Sequence, residues 1–191
     1  MITIIDYGAG NLASVANALK CIGAEYRIAD RPDEVNCDAI ILPGVGAFGF
    51  MMESLRTKGL EMPIKNAIAG GTKFLGICLG MQVLFEGSEE SPGVSGLGIF
   101  PGRVVRFRKG KVPQVGWNKV IPRKPMFSEG YSYFVNSYYV VPGDEGIVAA
   151  VSDYYSEFVC AVQSGNVTAV QFHPEKSGDF GIEFLRRWLK C

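Results

Sequence analysis

Apolar residues in the first half of the chain alternate between short continuous runs and positions spaced three or four apart. The runs at 2–6, 26–29, 39–42 and 73–77 are typical of strands, some of them buried on both faces. Helical spacing predicts helices over 12–22, 48–57, 61–69 and 79–86, the first capped by Asn11 and closed by Gly23. Strands that alternate with helices predict a parallel sheet flanked by helices, an α/β fold.

The residue pattern changes after Ser88, where glycine and proline become frequent and shorter segments of alternating apolar and polar residues follow one another. We expect antiparallel strands near 98–107, 112–121, 131–141, 147–151, 157–163 and 166–172. A last helix over 178–190 should cover the sheet with one apolar face: Phe180, Phe184, Leu185, Trp188 and Leu189. The pattern therefore predicts one domain, 1–191, with a mixed central sheet that is parallel in its N-terminal part.

Composition excludes several classes of protein. The 191 residues are 48% hydrophobic and 20% charged, which excludes a disordered chain, a coiled coil or a collagen-like repeat. Nineteen basic residues balance nineteen acidic ones, so binding to nucleic acid or to an anionic membrane is disfavoured. The N-terminus lacks a basic segment and no apolar run nears the roughly 20 residues of a spanning helix. We expect a cytoplasmic protein.

Five cysteines are scattered along the chain and never form a C-x-x-C pair: Cys21, Cys37, Cys78, Cys160 and Cys191. Their odd number and wide spacing argue against a disulfide framework or a zinc site. We therefore expect reduced thiols and neither a metal nor a cofactor.

One cysteine stands apart, in the sequence Gly76-Ile-Cys78-Leu-Gly80 at a predicted strand-to-helix junction. This is the pattern of a nucleophile elbow, whose tight turn needs small residues two before and two after the nucleophile. Unpaired N–H groups at the helix start favour a thiolate there. A buried core cysteine is the usual alternative, and the two glycines and the junction argue against it.

A thiol nucleophile needs a base, and the chain contains one histidine, His173. Pro174 favours an extended backbone before it, in which His173 and Glu175 project to the same side. Glu175 can then orient the imidazole toward sulfur. A lone histidine at a strand end is the competing interpretation, and the elbow elsewhere in the chain makes it the weaker one.

Acyl transfer also needs donors for an oxyanion. The N–H of Leu79 follows the nucleophile and is one candidate. The glycine-rich loop after the 39–42 strand offers others, at Gly44, Val45 and Gly46, although an ordinary glycine turn would look the same. In a parallel sheet this loop and Cys78 should open into one crevice.

The segment 103–124 holds eight basic residues and no acidic one. A solvated hairpin is the simple interpretation. Pro113 and Trp117 within it also allow a protein–protein surface.

These motifs resemble the class I (triad) glutamine amidotransferases, a family of flavodoxin-like α/β fold. The resemblance covers the chain from Tyr7 to the last helix and rests on Gly76–Gln82 and His173–Glu175. Four further motifs resemble the glutaminase subunits of imidazole glycerol phosphate synthase: Pro43-Gly-Val-Gly46, Gly116-Trp-Asn118, Tyr133-Phe-Val135 and His173-Pro-Glu-Lys-Ser177.

The resemblance implies hydrolysis of L-glutamine, with ammonia passed to a (β/α)8-barrel cyclase subunit. Cys78 would be the nucleophile, His173 the base and then acid, and Glu175 the orienting group. By the same matching, the glutamine pocket would hold Gln82, Glu90, Ser137 and Tyr138, and the positions near the partner and the ammonia exit would be Asn11, Trp117 and Lys176. One departure is Asn136, where the family often has a histidine, because an amide does not titrate near neutral pH.

Three alternatives stay open at this point. Another amidotransferase subunit, for pyridoxal phosphate or anthranilate synthesis, would use the same triad. A non-catalytic interaction subunit would keep the fold without the activity, and a cysteine hydrolase of another substrate would share the mechanism.

Overall fold

The computed structural model describes residues 1–35 and 37–190, which build one sheet of eleven strands with five α-helices. The strands are β1 Ile2–Ile5, β2 Tyr26–Ala29, β3 Ala39–Gly44, β4 Lys73–Cys78, β5 Gly102–Arg106, β6 Gln114–Pro122, β7 Gly130–Asn136, β8 Tyr138–Pro142, β9 Val148–Asp153, β10 Glu157–Ser164 and β11 Val167–Val170. The helices are α1 Leu12–Cys21, α2 Phe48–Thr57, α3 Glu61–Ala69, α4 Leu79–Gln82 and α5 Gly178–Lys190. Cys191 lies outside the described residues.

The sheet is mixed, as the sequence predicts. Its strand order is β2-β1-β3-β4-β11-β10-β9-β6-β7, with β5 and β8 attached beside β10. Pairing is parallel from β2 to β11 and antiparallel beyond. Strand β11 pairs antiparallel with β10, as expected for 166–172, and its other edge runs parallel to β4, which the pattern does not predict. This parallel contact sets the end of β11 beside Cys78.

Helices cover both faces of the sheet. One face packs apolar side chains of α1 and α5 and the other those of α2 and α3, as two separate clusters of buried residues. Asn11 caps α1 by accepting a hydrogen bond from the backbone N–H of Ser14, and α5 buries Phe184, Leu185 and Trp188 as predicted. Among the described residues, no helix is long and apolar enough to cross a membrane.

Two predicted elements are shorter in the structure. The helix predicted over 79–86 ends at Gln82, and the strand predicted over 98–107 begins at Gly102. After Gln82 the N–H groups of Leu84 and Phe85 donate only three residues back, to the carbonyl oxygens of Met81 and Gln82, so the helix tightens into a turn. The N–H groups of Leu97 and Ile99 donate to the carbonyl oxygens of Val83 and Leu84 at 2.7 and 2.8 Å, so this stretch does not join a strand ladder.

The strand predicted over 131–141 is interrupted at Ser137. Its first part, β7, pairs with β6, whereas its second part, β8, pairs with β5 and β10. The chain therefore changes partners at Ser137, next to the site described below.

The basic segment 103–124 is not a hairpin, because β5 and β6 pair with other strands rather than with each other. Several of its charges are neutralised by carboxylates from elsewhere in the chain. The ion pairs are Arg108–Glu89, Lys119–Glu129 and, just before the end of the segment, Arg123–Glu157. Three of its eight basic side chains are therefore paired with carboxylates of the same chain.

Candidate active site

The backbone at Cys78 forms a sharp turn between β4 and α4. Its φ of 54° and ψ of −108° lie in a region that side chains rarely occupy, and the residue is 7% exposed. A Cβ on Gly80 would collide with the carbonyl oxygen of Leu42, and one on Gly76 with the carbonyl oxygen of Gly80. The G-x-C-x-G pattern is therefore a steric requirement of this turn.

A cavity of about 290 Å³ opens beside Cys78, at the carboxyl ends of β3 and β4. The predicted site residues that line it are Val45, Gly46, Cys78, Leu79, Gln82, Glu90, Ser137, Tyr138, His173 and Lys176. Pro113, Val135 and Asn136 complete its wall. The crevice expected between the glycine-rich loop and Cys78 is thus present.

His173 follows β11 and is held by both its backbone and its ring. Its N–H donates to the carbonyl oxygen of Tyr133 at 2.9 Å, and Nδ1 lies 2.7 Å from Oε1 of Glu175. The side chains of His173 and Glu175 are only 4% and 2% exposed. Glu175 lies in a 3₁₀ turn, Pro174–Lys176, rather than in an extended chain, so the pair meets across a turn.

The charge on His173 depends on its neighbours. Burial opposes the imidazolium, but the charge of Cys78, a hydrogen bond with it, and the Glu175 carboxylate together raise the pKa of His173 to about 10. At neutral pH the His173 ring is therefore protonated. A protonated ring beside Cys78 can give its proton to a substrate held at the sulfur.

The residues proposed as oxyanion donors occupy different situations. Leu79 is the first residue of α4, directly after Cys78, whereas Gly44 lies within β3 and pairs with Cys78. The N–H of Val45 donates to the Tyr7 hydroxyl oxygen at 3.0 Å, and the Tyr7 hydroxyl donates to the carbonyl oxygen of Val45 at 2.9 Å. The Tyr7 hydroxyl thereby bonds to both backbone polar groups of Val45 and occupies the N–H that an oxyanion would need.

We expect Tyr7→Phe to raise the glutamine-hydrolysing kcat of the isolated chain about fivefold. The ring of Tyr7 is 1% exposed and its packing survives in phenylalanine, so the change removes only the two hydrogen bonds to Val45. Freeing an N–H held by about 1 kcal/mol corresponds to a factor of about five. Steady-state kinetics on the purified variant should show this rise in kcat with KM unchanged. An equal or lower kcat would mean that the Val45 N–H has no part in the reaction.

Carboxylate and amide groups also line the cavity. Oε2 of Glu90 accepts the N–H of Phe48, the first residue of α2, at 2.8 Å. Asn136 donates from Nδ2 to the carbonyl oxygen of Tyr138 at 3.0 Å, and its buried Oδ1 has no partner among the described residues. A carboxylate and a free amide oxygen suit a ligand that carries an ammonium or amide N–H.

Asn11 and Trp117 lie outside this cavity. Asn11 caps α1, and Trp117 is 58% exposed on β6, where its ring contacts that of Tyr133 edge to face. Lys176 is brought to the cavity wall, at the end of the turn that carries Glu175.

Sequence reasoning gave no role to Tyr7 or Gln171. Gln171 precedes His173 by two residues, so the alternation used to pair His173 with Glu175 also points Gln171 toward the nucleophile. That signal was available in the sequence. Nothing local marks the Tyr7 hydroxyl, whose partner is 38 residues away.

Comparison with known proteins agrees with this architecture. The family model "Glutamine amidotransferase class-I" matches residues 3–190. The chain is 48% identical over 197 residues to the imidazole glycerol phosphate synthase subunit HisH of Methanothermobacter thermautotrophicus, covering 100% of this chain and 98% of that one. It is 47% identical over 201 residues to the same subunit from a Geobacillus strain, covering 98% and 95%.

A solved structure described as a glutamine amidotransferase superposes with a TM-score of 0.83 at 21% identity, covering 100% of this chain and 98% of that one. The full-length relatives favour the imidazole glycerol phosphate synthase subunits over those for pyridoxal phosphate or anthranilate. The chain therefore belongs to the class-I glutamine amidotransferases and, within them, to the family of the HisH subunits of imidazole glycerol phosphate synthase.

Proposed function

We propose that the chain hydrolyses L-glutamine to glutamate and ammonia, with Cys78 as the nucleophile, His173 as the acid and base, and Glu175 as the group that orients the ring. The observation that carries the proposal is the His173–Glu175 contact of 2.7 Å at the edge of a cavity whose floor is Cys78 at a strained elbow. Without this constellation the cavity would be only a binding site.

The reaction starts from a thiolate at Cys78 and an imidazolium at His173. The Cys78 thiolate attacks the carboxamide carbon, and the C–O double bond opens to an oxyanion. The His173 imidazolium gives its proton to the amide nitrogen, the C–N bond breaks, and ammonia leaves a thioester on Cys78. Neutral His173 then takes a proton from water, the hydroxide displaces sulfur, and glutamate is released with the thiolate restored.

Substrate recognition uses the polar groups of the cavity wall. Glu90 carries the negative charge that a substrate α-ammonium group needs. Ser137 and Tyr138 line the cavity where the chain passes from β7 to β8, and they contact the substrate there. The N–H of Leu79 serves the oxyanion, joined by Val45 or Gly46 when the loop is free of Tyr7.

The partner surface that we propose is the outer face of the β6–β7 hairpin. Side chains that alternate along these strands point away from the core and leave apolar groups in solvent: Val115, Trp117, Tyr131, Tyr133 and Val135. Val115, Trp117 and Tyr131 are each at least 58% exposed. A contiguous apolar and aromatic face of this kind is typical of a protein interface.

The backbone of the same hairpin borders the reacting groups. The carbonyl oxygen of Val135 lies 3.9 Å from Sγ of Cys78, and that of Tyr133 accepts the N–H of His173. A partner docked on this face would sit one strand away from the released ammonia. This position supports a (β/α)8-barrel cyclase subunit as the acceptor of the ammonia.

The test is to measure glutamate production by the chain alone and with the cyclase subunit from the same organism. We expect weak activity in isolation and strong activation in the complex. Trp117→Ala should weaken the complex about 30-fold, because a truncated interface tryptophan costs about 2 kcal/mol or more. Titration calorimetry gives the Kd, and Phe50→Ala, which removes an exposed aromatic on helix α2 and outside the hairpin, is the matched control. Full activity without the cyclase, or equal Kd values for both variants, would refute the partner assignment.

A further inference from the structure

A buried glutamine lies beneath the proposed nucleophile. The side chain of Gln171 is fully buried, and its Nε2 is 3.5 Å from Sγ of Cys78. We propose that Gln171 is a further catalytic residue, whose side-chain N–H donates to the sulfur and favours its thiolate form. The proposal rests on Cys78 being the nucleophile, and adds an amide donor to the triad.

The orientation of the Gln171 amide decides whether it donates or accepts. Gln82 places Nε2 3.2 Å from the carbonyl oxygen of Tyr138 and 2.9 Å from Oε1 of Gln171. A backbone carbonyl can only accept, so the group of Gln82 that faces it must be the NH₂. That NH₂ then requires an oxygen on Gln171, which leaves the nitrogen of Gln171 facing sulfur. The chain of three bonds therefore fixes the donor at Cys78.

The two protonation states of sulfur meet different neighbours. As a thiol, Cys78 can donate to the carbonyl oxygen of Val135, which lies at the long distance of 3.9 Å. As a thiolate it loses that bond and accepts the N–H of Gln171. Donation to a charged acceptor is the stronger of the two interactions, so Gln171 stabilises the thiolate more than Val135 stabilises the thiol.

Stabilising a thiolate also makes it a weaker nucleophile. Nucleophilicity falls with thiol basicity with a Brønsted slope of about 0.4–0.5. A tenfold change in the thiolate equilibrium thus changes the intrinsic reactivity of the thiolate about threefold in the opposite sense. Removing the amide should therefore have effects of opposite sign at low and at high pH.

Other titratable and charged groups also face the sulfur or line the cavity around it. They come from the end of β1, the loop after α4 and the turn after β11: Tyr7, Glu90, His173, Glu175 and Lys176. A substitution at Gln171 leaves all of them in place. A difference between two pH profiles then reports the amide alone.

The experiment is alkylation of the intact chain by iodoacetamide from pH 4 to 10, with the rate at the Cys78 peptide followed by mass spectrometry. Gln171→Met keeps the length of the side chain and removes the donor. We expect the acid limb of its rate profile to lie about one pH unit higher than in wild type, and its plateau to be about threefold higher. A side chain that served only packing would lower the plateau and leave the limb where it is.

Two further variants keep the result decisive. Gln171→Leu also removes the donor without adding a charge, so the acid limb of its rate profile should move in the same direction even where the methionine variant folds poorly. Gln163→Met makes the same chemical change at an amide whose Nε2 contacts the sulfur of Met126 at 3.6 Å, and its profile should match wild type.

An unmoved limb in both Gln171 variants would overturn the role of Gln171. The proposed nucleophile fails separately, if Cys78 is not the thiol that reacts fastest at neutral pH in the wild-type chain.

Discussion

Cys78→Ala is expected to abolish glutamine-dependent turnover, a loss of about 10⁴-fold or more, because no thioester can form. Alanine has the same Cβ as cysteine, so the strained turn at φ 54° is no worse in the variant and the fold should persist. The complex with the cyclase should keep its activity when an ammonium salt replaces glutamine. Both rates are measured in one coupled assay.

Two other cysteines provide the comparison. Cys21 is exposed and Cys160 is buried in the core, where loss of solvation raises the pKa of its thiol far above the usual range. Neither lies on the cavity wall, so Cys21→Ala should retain wild-type rates, as should Cys160→Ala if it folds. Loss of the ammonia-dependent activity in Cys78→Ala would instead indicate that Cys78 acts through folding or assembly.

The parallel half of the fold and the elbow were predictable because their causes are local. An apolar run such as 39–42 is typical of a strand buried on both faces, and Gly76 and Gly80 are needed because a Cβ at either position would strike backbone. Helix α1 carries its own cap in Asn11 and its own stop in Gly23. Elements that depend on neighbouring residues in this way can be predicted without knowledge of distant residues.

The elements that were mispredicted depend on partners far along the chain. The strand expected from 98 begins only at Gly102 because the N–H groups of Leu97 and Ile99 bond to the carbonyl oxygens of Val83 and Leu84, some 14 residues earlier. The break at Ser137 arises because the strands before and after it pair with different neighbours. The alternation of apolar residues alone predicts neither of these features.

The candidate site divides in the same way. Cys78, His173 and Glu175 each stand in a short motif whose chemistry is recognisable. Cys78 and His173 line the cavity, and Glu175 is bonded to Nδ1 of His173. The contact of Tyr7 with Val45 spans 38 residues and has no local signal, whereas the two-residue spacing from His173 is a signal for Gln171. The parallel pairing of β11 with β4 brings Gln171 to Cys78, 93 residues away.

His173→Asn is expected to reduce glutamine hydrolysis by about 10⁴-fold or more, with the fold retained. Asparagine can still bond to Glu175, but it neither protonates the leaving amide nitrogen nor accepts a proton from water. Alkylation of Cys78 should also require more alkaline solution than in wild type, because the imidazolium that stabilises the thiolate is gone. Glu175→Gln should lose less, on the order of 10²-fold, since the ring remains but is held less firmly.

The pH dependence of the unfolding free energy tests the protonation of His173 independently. Burial works against the charged ring, but Cys78 and Glu175 outweigh it and raise the pKa of His173 to about 10 in the folded protein, above the value of about 6.5 in an unfolded chain. The stabilisation linked to its proton is therefore fully present below about pH 6.5 and is lost as the pH rises toward 10. Denaturant unfolding of His173→Asn should lack this alkaline decline. Since the chain has no second histidine, a variant that declines like wild type, or that hydrolyses glutamine at a comparable rate, would refute the imidazolium–thiolate pair.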